Sequence, residues 1–98
     1  MKLIWSKRAL GDLDQIGSFI AIDSPEKARK HLQLLIDRTK DLIQFPESGR
    51  VVPEFGNNKI KELIEGNYRI VYKIDSSAKT ITLLTVFESH RLIRNLKG

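Results

Sequence analysis

The sequence predicts an α+β domain: an N-terminal strand, then an antiparallel helix hairpin packed on one face of a curved antiparallel sheet, in the order β-α-α-β-β-β. Three observations carry this. From Tyr68 to Ile74 the residues alternate, with Tyr68, Ile70, Tyr72 and Ile74 on one side and Arg69, Val71 and Lys73 on the other, as in a strand with two distinct faces. The polar stretch Asp75, Ser76, Ser77, Ala78 separates this run from a second apolar run, Thr80 to Phe87, which marks a hairpin. Two segments in the first half of the chain carry apolar residues at helical spacing, and only a short break divides them.

The elements follow in order. Lys2 to Trp5 reads as a short strand with Leu3 and Trp5 on one face. Ser6 is a good helix N-cap, and behind it Ala9, Leu13, Ile16 and Ile20 form a stripe with Phe19 beside it. Asp12 and Asp14 fall on the polar side of this helix, Gly17 weakens it, and it is expected to end near Ile22. Ser24 followed by Pro25 starts the second helix: serine caps it, and proline supplies the φ of a first helical residue. Glu26 complements the helix dipole, and Ala28, Leu32, Leu35, Ile36, Leu42 and Ile43 continue an apolar stripe to about Gln44. Each stripe must be buried against the other helix and a sheet. Phe45 to Arg50 ends the helix, and Val51 to Asn58, with Pro53, Gly56 and two asparagines, reads as an irregular connection. Lys59 to Glu65 reads as a strand, Gly66-Asn67 as a turn, and the strands that follow complete an antiparallel meander, one face of which is left for solvent or a partner. The first strand must join that sheet to satisfy its backbone.

A chain of 98 residues is expected to form a single domain with one modest core. It has no cysteine, which excludes disulfides, thiolate ligands and a cysteine nucleophile. No apolar run approaches the roughly 18–20 residues that span a bilayer, and the N-terminus is too short in apolar residues for a signal peptide, so a cytoplasmic location without membrane contact is expected. The net charge is +5; residues 1–49 hold 8 basic and 7 acidic residues, residues 50–98 hold 9 and 5, so the excess lies with the hairpin. Such a bias suits either an anionic partner or simple solvation of the surface. There is no glycine-rich phosphate loop, no His/Asp/Glu spacing for a metal and no serine beside a base, so no cofactor is implied. The mixed charge of the second helix (Lys27, Arg29, Lys30, Arg38 and Lys40 among Glu26, Asp37 and Asp41) argues against a DNA recognition helix.

Several stretches together resemble the RelE/ParE toxins of type II toxin–antitoxin modules. Ile4-Trp5-Ser6, Ala9, Asp12-Leu13, Ile16 and Phe19-Ile20 resemble their opening; Ser24 to Ala28 resembles their second-helix start; Pro46-Glu47-Ser48-Gly49-Arg50 resembles their proline-to-glycine-arginine loop. Lys61-Glu62-Leu63 and Tyr68 to Tyr72 resemble their central strands, and Val86-Phe87 with Arg91 the end of the last. In one place the chain departs: where the family often has a histidine two residues after the strand's valine, this chain has Glu88, and its histidine is His90. The resemblance implies a small toxin neutralised by a cognate antitoxin, acidic and partly disordered, in a possible hetero-oligomer. It also implies one of two targets. ParE-like members inhibit DNA gyrase; RelE-like members cut ribosome-bound mRNA. The Pro-x-x-Gly-Arg loop and the Ser-Pro helix start lean toward ParE.

Under the nuclease reading Arg69 and Arg91 would clamp phosphate and His90 or Glu88 would move protons, with Lys59, Lys61, Arg69 and Lys73 as a possible crowd of cations. Under the binding reading the candidate target-contacting residues are Arg50, Lys61, Arg69, Arg91 and Arg94. Structural roles stand beside these: Arg69 could lie along the sheet and pair with Glu62 or Glu65, and Arg50 could tie its loop to a nearby carboxylate. Tyr68, Tyr72 and Trp5 are expected in the core, and His31 is expected to be structural or simply on the surface.

Overall fold

The computed structural model describes residues 1–89. Strand β1 (Lys2–Trp5) leads directly into α1 (Lys7–Ala21), and α2 (Pro25–Gln44) returns antiparallel to it. Then come β2 (Arg50–Val51), β3 (Ile60–Glu65), β4 (Tyr68–Asp75) and β5 (Thr80–Glu88), in one sheet ordered β1-β5-β4-β3-β2. The expected helix hairpin and three-strand meander are present. The sheet is mixed rather than wholly antiparallel, because β1 pairs in parallel with β5, Lys2 opposite Thr80 through Trp5 opposite Leu83. A parallel pair needs a long crossover, and the helices and meander between these strands supply it. The connection after α2 is also more regular than expected: it holds 3₁₀ turns at Pro46–Ser48 and Pro53–Phe55 and the two-residue edge strand β2, with Arg50 opposite Glu62 and Val51 opposite Lys61.

Both helices start as their sequences dictate. The Ser6 hydroxyl accepts from the Ala9 N–H at 3.0 Å and the Ser24 hydroxyl from the Lys27 N–H at 3.2 Å. Ala9 and Leu13 of α1 and Leu35 and Leu42 of α2 bury their stripe against Leu63, Ile70, Tyr72, Ile74, Ile81, Leu83 and Val86. Gly17 lets the helices approach, since a Cβ there would lie 2.8 Å from Leu32 Cδ1. The opposite sheet face is not left bare: Val52 and Phe55, around the Pro53–Phe55 turn, pack with Val71, Phe87, Ile60 and Leu84 in a second, smaller cluster.

Asp12 is the main departure from helix periodicity. Beyond Leu83, β5 has no β1 neighbour, and its register against β4 slips: Val71 faces Thr85 while Tyr72 faces Leu83, so Leu84 is an extra, bulged residue. The start of α1 satisfies the groups this leaves. Ser6 donates its N–H to the Leu83 carbonyl (3.1 Å) and its hydroxyl to the Leu84 carbonyl (3.1 Å). Asp12 Oδ2 accepts from Thr85 Oγ1 at 2.5 Å and from the Val86 N–H at 2.9 Å. The aspartate expected on a solvated side therefore ties α1 to the sheet.

Candidate target-binding site

The loop Pro46 to Arg50 is held from below by Tyr72. This ring is fully buried in the core, with its hydroxyl end against the loop. There it donates to the Pro46 carbonyl at 2.8 Å and accepts from the Gly49 N–H at 2.9 Å. Burial raises the Tyr72 phenol above its ordinary value of 10.0, against the opposing pull of the Gly49 hydrogen bond. Gly49 is in extended backbone (φ −77°, ψ 167°), which any residue can adopt. Glycine is required by space: a Cβ would stand 2.5 Å from Tyr72 Oη and 2.6 Å from the Glu62 carbonyl.

The same latch delivers Arg50 to the sheet edge opposite Glu62. Glu62 has no exposed side-chain surface, and both of its oxygens are used. Oε2 accepts from Arg50 Nε at 2.6 Å; Oε1 accepts from Arg69 Nε at 2.5 Å and lies 2.5 Å from an Arg69 terminal nitrogen. Two guanidiniums on one buried carboxylate offset its desolvation. Arg69 is further enclosed by Glu54 at 3.9 Å and by Phe87, whose ring centroid lies 5.2 Å below the guanidinium carbon. The two arginines differ in access: the Arg69 side chain is 11% exposed, that of Arg50 is 68% exposed. Arg69 pairs with Glu62, and Glu65 is 3.6 Å from Arg38 on α2.

The cations singled out by sequence do not form one crowd. Lys61 pairs with Tyr72 across the strands and so shares the helix-side face, where it lies 3.4 Å from Glu47. Arg69 and Lys73 alternate onto the opposite face. Glu88 ends β5 opposite Tyr68. His90, Arg91 and Arg94 lie outside the described residues. Tyr68 packs half-buried against the core, as does Trp5. His31 on α2 meets the Tyr68 ring in a tilted contact, with 4.9 Å between centroids and 59° between the ring planes. Among the described residues no group of three or more histidines or carboxylates could hold a metal, and no helix is long and apolar enough to cross a membrane.

Sequence reasoning placed Arg50 and Arg69 beside possible carboxylates but missed the two residues that organise them. Glu62 was visible only as one of two possible partners, and Tyr72 only as a core ring. The signal for Tyr72 was present: a buried tyrosine needs a partner for its hydroxyl, and the loop glycine needs a reason to be glycine.

Residues 3–93 match the model of the ParE toxin of type II toxin–antitoxin systems, parDE. A Sinorhizobium fredii protein named "Putative toxin Y4kP" is 31% identical over 93 residues, 92% of this chain and 90% of that protein. Among solved structures, the chromosomal ParDE system of P. aeruginosa superposes with a TM-score of 0.72 at 26% identity, covering 90% of this chain and 95% of that one. The Mycobacterium tuberculosis RelBE2 complex gives 0.66 at 20% identity (89% and 95% covered), and the isolated E. coli RelE toxin 0.61 at 17% (98% and 92%). The last two establish a shared fold. With nearly its whole length matched, the chain belongs to the ParE toxin family of type II toxin–antitoxin systems.

Proposed function

We propose that this chain acts as a ParE-like toxin, which inhibits DNA gyrase by protein–protein contact and is held inactive by a cognate antitoxin. The observation that carries the reading is the state of Arg69. A phosphate clamp must reach solvent, yet Arg69 is enclosed by Glu62, Glu54 and Phe87 with both neighbouring carboxylates in place. Lys61, on the other sheet face, cannot join it in stabilising charge on a scissile phosphate. A surface that binds a protein needs no such convergence. The ParDE system of P. aeruginosa, at 26% identity, supports the ParE side and an antitoxin partner. The net charge of +5 suits an acidic antitoxin.

Pulse-labelling of new DNA and new protein minutes after induction, without antitoxin, tests this. Early loss of DNA synthesis with continued translation is expected. Early arrest of translation would replace the reading with the RelE-like one, ribosome-dependent mRNA cleavage. If neither falls, toxicity itself is refuted.

A further inference from the structure

The latch on the Pro46–Arg50 loop does more than close a turn. It fixes one strongly exposed guanidinium at the sheet edge. Arg50 spends its Nε on a single oxygen of Glu62, the other oxygen being taken by Arg69. One carboxylate oxygen cannot saturate five N–H donors, and the side chain is 68% exposed, so its outer donors reach solvent. Its position is set twice: by the cross-strand pair with Glu62, whose own place is set by Arg69, and by the Tyr72 hydroxyl on the adjoining Gly49. A side chain held in this way loses little freedom when it binds.

The surroundings define the ligand. Ile64 is two residues beyond Glu62 on the same sheet face, diagonal to Arg50, and is 44% exposed. Arginine is among the residue types enriched at protein-binding hot spots, and the exposed isoleucine beside it adds apolar area for a partner to cover. A nucleic-acid backbone fits poorly. Arg50 and Arg69 are matched on this face by Glu62 and Glu54, so the cluster is neutral by itself, and Lys73, four residues along β4 from Arg69, adds a single positive charge rather than the row of cations that gathers a polyanion. A single carboxylate on a protein needs only the free edge of one guanidinium.

We propose that Arg50 is a docking residue for one carboxylate on the protein that this toxin inhibits, and that Glu62 and Tyr72 are its positioning residues. The proposal rests on the reading that the target is a protein. Purified wild type, Arg50→Ala, Arg50→Lys, Tyr72→Phe and the double variant Arg50→Ala/Tyr72→Phe are compared for inhibition of gyrase supercoiling and for growth arrest on induction, with folding followed by circular dichroism. Arg50→Lys keeps a cation beside Glu62 but loses the planar fork, so it decides the matter if Arg50→Ala fails to fold. Both Arg50 variants are expected to raise the half-inhibitory concentration about ten-fold or more. Tyr72→Phe is expected to raise it less, and to add nothing on the Arg50→Ala background. Wild-type potency in a folded Arg50→Lys, or a Tyr72→Phe effect that persists in full without Arg50, overturns the proposal. If wild type leaves gyrase active, the gyrase reading fails separately. Growth arrest then decides on Arg50, and undiminished arrest by the Arg50 variants overturns its docking role.

Discussion

Replacing Gly49 by alanine tests the latch directly. The new methyl would meet Tyr72 Oη at 2.5 Å, the Glu62 carbonyl at 2.6 Å and Tyr72 Cε1 at 2.8 Å. The carbonyl belongs to a paired strand, and the tyrosine ring is fully buried, so neither can retreat cheaply. Overpacking of this kind costs about 1–3 kcal/mol. Moving the hydroxyl also weakens its bonds to Pro46 and Gly49, each worth about 0.5–1.5 kcal/mol. The sum is about 2–6 kcal/mol, a large share of the roughly 5–15 kcal/mol that holds a domain together. At about 4–8 °C per kcal/mol for a domain of this size, the melting temperature should fall by at least about 8 °C. Gly11→Ala is the control. It lies in the middle of α1 with nothing within 4 Å of a new Cβ, so alanine's helix propensity should raise stability by about 1 kcal/mol. Because the backbone at Gly49 suits any residue, strain cannot explain a loss there. If thermal melts place Gly49→Ala within about 2 °C of wild type, the steric account of this glycine is wrong.

Asp12→Ala leaves the Val86 N–H and the Thr85 hydroxyl without their acceptor, a cost of about 1–3 kcal/mol, read as a lower urea midpoint at unchanged slope. Arg69→Ala leaves the buried Glu62 carboxylate with only Arg50 and should cost about 3–5 kcal/mol; Arg69→Met combined with Glu62→Leu should recover most of this in the same melts, since an apolar pair removes the buried charge. The Tyr72 phenol is raised in the fold, so its stabilising contribution is complete below about pH 10, where the unfolded phenol begins to ionise, and is lost as pH rises through the folded value. Wild type should therefore lose melting temperature above pH 10 more steeply than Tyr72→Phe, and equal slopes would count against burial as the cause.

The sequence by itself determined the local elements. Ser6 and Ser24-Pro25 start their helices where capping chemistry requires, and the alternation through Tyr68–Ile74 sorts core rings from the opposite face. These features depend on neighbours a few residues away, so a linear reading reaches them. Tertiary structure alone decided the parallel pairing of β1 with β5, the bulge at Leu84 and the use of Asp12 to satisfy it, 73 positions from Thr85. It also chose Glu62 over Glu65 as the partner of Arg69, put Lys61 and Arg69 on opposite faces, and aimed the Tyr72 hydroxyl at Gly49. Strand alternation tells which residues share a face within one strand. Which faces meet across strands depends on register, and register is set when the whole core closes.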